Sequence, residues 1–285
     1  MIKDFAILIL THGRPFNVIT IKSLKKHGYT GPIVIVIDDE DKTKNDYLKN
    51  FDNVEIFSKN EIAKTFDEAD NFEDKRTIIY ARNASFEIAK KLGYKYFMQM
   101  DDDYNGFDCR IYSNKEQKPK TIFNLDCVIL ALLNFYKSTN IATLSMAQGG
   151  DFIGGKNNKM AKNPTLFRKC MNSFICSTER PFNFVGRINE DVNTYVKKQS
   201  IGLTMLTVPF VSLTQKTTQK SKGGMSDIYE ASGTYVKSFY TVLFAPSCTK
   251  IKLMGDKHMR LHHSINWNSA VPKIISQDNK QLSNN

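Results

Sequence analysis

Short, unbroken apolar runs alternate along this chain with stretches in which apolar residues return at helical spacing. Residues 5–11 and 32–38 are continuous apolar runs of strand length, and residues 53–57, Asn-Val-Glu-Ile-Phe, read as a third strand. Each of the first two is followed by a polar turn: His12-Gly13-Arg14-Pro15 after the first and Asp38-Asp39-Glu40-Asp41 after the second. Phe16, Ile19, Ile21 and Leu24 then mark a helix, and a polar helix follows the second run to about residue 50. A long helix is expected over 73–92, with Ile78, Ile79, Phe86, Ala89 and Leu92 on one stripe, and residues 95–100 form the next strand, apolar on both faces. Apolar strands that alternate with helices predict right-handed βαβ units, hence an α/β fold with a mostly parallel central sheet flanked by helices.

The second half is patterned less cleanly. Residues 107–112 read as a strand and 113–120 as a polar loop. Helices are expected over 124–138, 188–195 and 227–244, and strands over 140–146, 171–177, 201–210 (closed by Pro209) and 248–254. No internal repeat or convincing boundary appears. The expectation is one domain over residues 1–275, in two halves that meet at about residue 110, and a disordered tail over 276–285.

Composition narrows the classes. The 285 residues, 41% of them hydrophobic, are enough for a full core. No apolar run approaches the roughly 20 residues of a membrane span, so the chain reads as soluble, intracellular and cytoplasmic. Five cysteines without a Cys-x-x-Cys pair suggest neither a disulfide framework nor a zinc site. The net charge of +11 favours a polyanionic or phosphorylated partner.

The strongest chemical signal is Asp101-Asp102-Asp103, where the fourth strand leaves the core. In an extended chain Asp101 and Asp103 share one side and Asp102 takes the other, so the outer two can share a cation. Magnesium and manganese take few carboxylates and complete their shell with substrate phosphates. The same stretch also reads as a solvated turn, or as the first half of a calcium loop whose twelfth position is Tyr112 instead of Glu. Ligands of parallel sheets bind beyond the carboxyl ends of the strands, where residues 11–14, 38–41 and 101–103 all fall. Arg82 lies on the apolar stripe of its helix, so it requires a bound phosphate, the carboxylates that hold one, or a structural aspartate at the sheet edge. Gly150-x-x-x-x-Gly155-Lys156 nearly matches a phosphate-binding loop but lacks the hydroxyl residue, and a flexible loop is the expectation there. Lys216, Lys220 and Lys222 in a basic, hydroxyl-rich segment suit a phosphate backbone or a plain linker.

The order of the strand-end loop 11–15, Asp38-Asp39, Ala81-Arg82-Asn83, Asp101-x-Asp103, Glu190-Asp191 and the late His262-His263 resembles nucleotide-sugar glycosyltransferases of the A-type, Rossmann-like fold. Within them the chain looks most similar to the TET-associated glycosyltransferases, which are encoded largely by bacteriophages and inferred to glycosylate hydroxymethylated pyrimidines in DNA. The resemblance implies that Thr11, Arg14, Asp38 and Asp39 hold the nucleoside, that Arg82 sits by the diphosphate, and that Asp101 and Asp103 fix ribose and metal, with Asp102 in the same donor site. Asp191, beside Glu190, would be the general base, and His262 or His263 a third ligand for manganese or magnesium. Glu190 and Asp191 have a plainer reading as helix-capping acids. The implied donor is a nucleoside-diphosphate sugar, UDP-sugar favoured, and the implied acceptor DNA with 5-hydroxymethylpyrimidines. A glycan or protein acceptor, a metal-dependent nucleotidyltransferase and a non-catalytic binding module are the alternatives.

Overall fold

The fold is built outward from strand β1 (Phe5–Leu10), every residue of which is buried. Ala6, Leu8 and Leu10 face one apolar layer and Phe5, Ile7 and Ile9 the other, so the strand needs cover on both sides. The computed structural model describes residues 2–70, 74–113, 116–152, 163–171, 173–215, 235–255 and 259–280, with backbone alone at 111–113 and 116–117. The elements in chain order are β1, α1 (Ile19–Lys26), β2 (Ile33–Asp38), α2 (Lys44–Asn50), β3 (Val54–Phe57), α3 (Lys59–Ala63), α4 (Ile79–Lys91), β4 (Tyr96–Asp101), β5 (Tyr104–Ser113), β6 (Glu116–Thr121), α5 (Leu125–Lys137), β7 (Thr143–Ala147), β8 (Ser173–Ser177), α6 (Glu190–Ser200), β9 (Met205–Gln215), α7 (Val236–Phe244), β10 (Thr249–Met254), β11 (Arg260–Ile265) and α8 (Trp267–Ala270).

Among the described residues, nine strands form one sheet in the order β3-β2-β1-β4-β8-β7-β9-β5-β6, and β10–β11 form a separate ribbon. Only β8 and β5 run against the other seven, so the sheet is mostly parallel. One face is covered by α4 and α6, through Ile79, Tyr80, Ala84, Ile88, Tyr195 and Val196. The other is covered by α1 and α5, through Leu24, Leu125, Ile129, Leu132, Leu133 and Tyr136.

Several boundaries differ from the sequence pattern. The polar stretch after residue 113 is in part a strand, β6, whose residues pair with β5 at the sheet edge, where a polar strand needs no apolar cover. Strand β9 does not stop at Pro209. The register against β7 shifts between Met146 and Ala147, and the proline sits at that irregularity, where its missing N–H interrupts no ladder bond. Helix α4 begins only at Ile79 and α6 only at Glu190. Of the expected tail, Ser276 donates to the Gly202 carbonyl at 3.0 Å and Gln277–Asn279 form a 3-10 turn, while 281–285 lie outside the described residues.

Candidate active site

The carboxyl ends of β2, β1 and β4 are neighbours in the sheet, and three polar clusters meet there. The turn from β4 into β5 carries Asp101, Asp102 and Asp103. Thr20 of α1 clamps it: its N–H donates to the Asp102 carbonyl at 3.1 Å, its hydroxyl donates to the Asp101 carbonyl at 2.6 Å, and the same oxygen accepts from the Tyr104 N–H at 2.9 Å. The three carboxylates then diverge. Asp102 turns into the β1 loop, accepting from the Thr11 hydroxyl at 2.6 Å and from Arg14 at 3.1 Å. Asp101 meets Arg82 at 3.1 Å. Asp103 accepts the side-chain amide of Gln215, at the end of β9, on both oxygens at 2.9 and 3.0 Å.

The first two strand ends are tied to each other as well. Tyr47 on α2 shares a bond with the Thr11 hydroxyl at 2.9 Å and accepts from the Arg14 N–H at 2.8 Å. Asp41 accepts the Gly13 N–H at 2.7 Å, and Asp38 meets His12 at 2.7 Å and the buried ammonium of Lys59 at 3.0 Å. Burial would raise the Asp38 carboxyl, but the hydrogen bonds and charges of His12 and Lys59 outweigh it and hold Asp38 below the ordinary carboxylate range. Asp39 remains exposed and accepts the Lys59 N–H at 3.0 Å.

Arg82 is 1% exposed and bridges Asp101 and Glu190, with Nε donating to Glu190 at 3.0 Å. The ring of Phe174 lies 5.0 Å from its guanidinium and that of Phe184 5.8 Å. Arg82 is therefore a buried brace between two acids, and of the readings open to it in the sequence the contact it makes is with carboxylates, Asp101 among them. Its neighbours respond to burial. Asp101 is pushed up to about 7, first by burial and then by the charges of Asp103, Glu190 and Asp102, against the pull of Arg82.

Glu190 and Asp191 open α6, behind Asn189 in a left-handed conformation whose side chain donates to Thr241 at 2.6 Å. Burial pushes Glu190 up. It acts in the same direction on Asp191, but Lys169, 2.7 Å away, the Val192 N–H at 2.8 Å and Arg82 together hold Asp191 below the ordinary range. Neighbouring acids pushed apart in this way are suited to different roles. Lys169 was not identified from sequence: it lies in a segment with no periodic pattern and approaches Asp191 only in the fold. Gln215, Lys59, Tyr47 and Thr20 carry no chemical signal in the sequence either, since each meets its partner in the site only through the fold.

The residues present fit a divalent ion at Asp101 and Asp103, because two mutually repelling carboxylates are the donors that magnesium and manganese use together with phosphate oxygens. The histidines do not extend that set. Among the described residues no three His, Cys, Asp or Glu side chains gather to hold an ion. His262 and His263 face a cationic neighbourhood instead. Burial, then the charges of His262, Lys169 and Lys237, bring His263 down to about 3 despite Asp191, and burial likewise lowers His262, with Lys237, Arg260 and Lys169 adding to it. The Nδ1 atom of His263 is buried with no hydrogen-bond partner among the described residues. Lys216, Lys220, Lys222, Gly155 and Lys156 lie outside the described residues, and Gly149–Phe152 form a 3-10 turn.

In a mostly parallel sheet the ligand site lies beyond the carboxyl ends of the strands, which is where these acids converge. The family model of the TET-Associated Glycosyltransferases matches residues 5–224, and the chain belongs to that family; it is a glycosyltransferase. No curated protein matches it in sequence. Solved structures similar to it include glucosyl-3-phosphoglycerate synthase from Mycobacterium tuberculosis with Mg2+ and UDP, at 9% identity and TM-score 0.44 over 92% of this chain and 87% of that one. Residues 1–349 of S. aureus TarS are similar at 10% identity and TM-score 0.43, over 84% of this chain and 65% of that one. The nucleotidyltransferase and binding-module alternatives are set aside by the family match. Among the described residues no helix is long and apolar enough to cross a membrane.

Proposed function

We propose that this enzyme transfers a sugar from a nucleoside-diphosphate sugar, UDP-sugar favoured, to the hydroxymethyl group of a 5-hydroxymethylpyrimidine in bacteriophage DNA. The observation that carries the reading is the continuous charge network Asp101–Arg82–Glu190 and its neighbour pair Asp191–Lys169, set beside Asp103 at the sheet edge. It places acids of opposite tendency, Glu190 held up and Asp191 held down, side by side at the start of α6. Thr11, Arg14, Asp38 and Asp39 line the nucleoside side, and Asp102 positions that loop through Thr11 and Arg14.

Asp101 and Asp103 would hold a divalent ion, which would neutralise the charge that grows on the leaving nucleoside diphosphate. In the transfer the acceptor oxygen attacks the anomeric carbon, the bond from that carbon to the phosphate oxygen breaks with its electron pair going to the diphosphate, and the hydroxyl proton passes to a carboxylate oxygen of Asp191. Asp191 is ionised throughout the neutral range because Lys169 stands against it, and Arg82 holds Glu190 and Asp101 in place around the reacting centre.

The test incubates the protein, manganese and a panel of nucleotide sugars with DNA containing 5-hydroxymethylcytosine, 5-hydroxymethyluracil or ordinary bases, then weighs the digested nucleosides. A hexose- or pentose-sized gain confined to a hydroxymethylated base is expected. A gain on a glycan or protein acceptor with none on any nucleoside would refute the DNA acceptor and leave the glycosyltransferase.

A further inference from the structure

The ribbon β10–β11 belongs to neither layer of the main sheet and has a one-sided charge. Antiparallel partners share a face, and on one face the pairs are Lys250 with Ser264, Lys252 with His262, and Met254 with Arg260. That face carries two lysines and an arginine and no acid. Lys250, Lys252 and Arg260 are exposed, and none of them forms an ion pair among the described residues. On the opposite face the partners Leu253 and Leu261 are 62% and 38% exposed, so the far end of the ribbon stands clear of the body on both sides.

The near end is anchored at the reaction centre. The Asn266 N–H donates to the Cys248 carbonyl at 2.7 Å and closes the ribbon, and Trp267, two residues beyond β11, packs on Tyr195 of α6 with ring centroids 5.3 Å apart. Helix α6 is the helix that begins with Glu190 and Asp191. His262, on the cationic face, is close enough to both Arg260 and Lys169, the partner of Asp191, to feel their charges, and at about 3.3 Å per residue Arg260 lies only about 7 Å further along β11. A band of fixed positive charge therefore leads from the exposed end of the ribbon toward the proposed base.

We propose that the β10–β11 ribbon docks against double-stranded DNA, with Lys250, Lys252 and Arg260 on the phosphates, and guides the acceptor base to Asp191. This rests on the DNA-acceptor reading above. A two-stranded ribbon fits the major groove, which is the groove into which a 5-hydroxymethyl group projects. Phosphate contacts fix register and orientation without reading sequence, which suits an enzyme whose target is marked by a chemical group.

The experiment measures binding of the full chain to a 30-base-pair duplex by fluorescence anisotropy across salt concentrations, for the wild type and for a Lys250→Gln/Lys252→Gln/Arg260→Gln variant. The variant should bind at least about tenfold more weakly near physiological salt, with the slope of log affinity against log salt smaller by about 2.7, from about 0.9 per lost contact. The loss should be equal for ordinary and hydroxymethylated duplexes. Unchanged thermal unfolding and unchanged donor hydrolysis establish that the variant is folded and its donor site intact. A variant with wild-type slope and wild-type sugar transfer to DNA overturns the ribbon and spares the acceptor reading. Ribbon-dependent duplex binding without transfer to any hydroxymethylated base spares the ribbon and overturns the acceptor reading. A wild type that binds phosphatidylserine vesicles and no duplex overturns the ribbon as a DNA element.

Discussion

Replacing Lys169 with Met tests the electrostatics of the proposed base directly. Burial alone would raise Asp191, and the opposing influences, largest first, are the charge of Lys169, its hydrogen bond, the Val192 N–H and the charge of Arg82. The substitution removes the two largest of these and keeps the burial. An opposite charge in close contact favours the ionised carboxyl, so the Asp191 titration should rise clearly in the variant, through the ordinary carboxylate range toward the side that burial favours. The pair is 24% and 11% exposed, so water screens it only in part. The sign for stability follows from the depressed value. The wild-type pair contributes stability that is present above the ordinary carboxylate range and is lost as pH falls through the lowered folded value, and the variant lacks that contribution at neutral pH. Carbon-13 NMR titration of labelled aspartates reads the shift without any knowledge of the acceptor, and the pH profile of transfer should show its acid limb moving up by the same amount. An Asp191 titration and an acid limb that both stay in place would refute this account of how the carboxylate is kept ionised.

Asp103→Ala should abolish metal-dependent donor binding, because one remaining carboxylate leaves magnesium or manganese too few anionic ligands; calorimetry with UDP and manganese showing unchanged affinity would assign Asp103 to the turn alone. Arg82→Met should cost about 3–5 kcal/mol of stability by urea denaturation, since Asp101 and Glu190 keep their burial and lose their shared cation, and Arg82→Lys should not restore it because a point charge cannot span both acids. Gly186→Ala should destabilise by about 2 kcal/mol or more, measured as a fall in Tm: Gly186 has φ +80, and an added Cβ would sit 2.3 Å from the Asn193 amide nitrogen and 2.6 Å from the Phe244 ring, against the loop that sets the start of α6.

Strands β1, β2 and β4 were legible because each is almost wholly buried and is therefore written as an apolar run, and the order of βαβ units dictates parallel neighbours. The edge of the sheet carries no such signature. β6 is Glu-Gln-Lys-Pro-Lys-Thr, and nothing but its ladder with β5 makes it a strand. β9 conceals its second half behind Pro209, whose usual meaning as a strand stop is cancelled by the register shift opposite Met146.

The site divides along a similar line. Carboxylates at strand ends announce themselves, since three acids following an apolar run have no core function, and Asp101, Asp102, Asp103, Glu190 and Asp191 were all singled out. What spacing cannot express is the partner each one takes. Alternation placed Asp102 opposite to Asp101 and Asp103, and Asp102 does turn away, but toward Thr11 and Arg14. The resemblance groups those two residues with Asp38 around the nucleoside, and within the chain Asp38 takes His12 and Lys59, the latter from the start of a five-residue helix. The cations lie on different elements: Lys59 on α3, Arg82 on α4, and Lys169 just ahead of β8. A buried carboxylate requires a compensating charge from somewhere in the fold, and the sequence sets that requirement without saying which element meets it. Arg82 was the exception because its cost was visible locally: a guanidinium on the apolar stripe of a helix must find anions in the interior, and the anions it finds are two of the acids that the strand and helix ends supply.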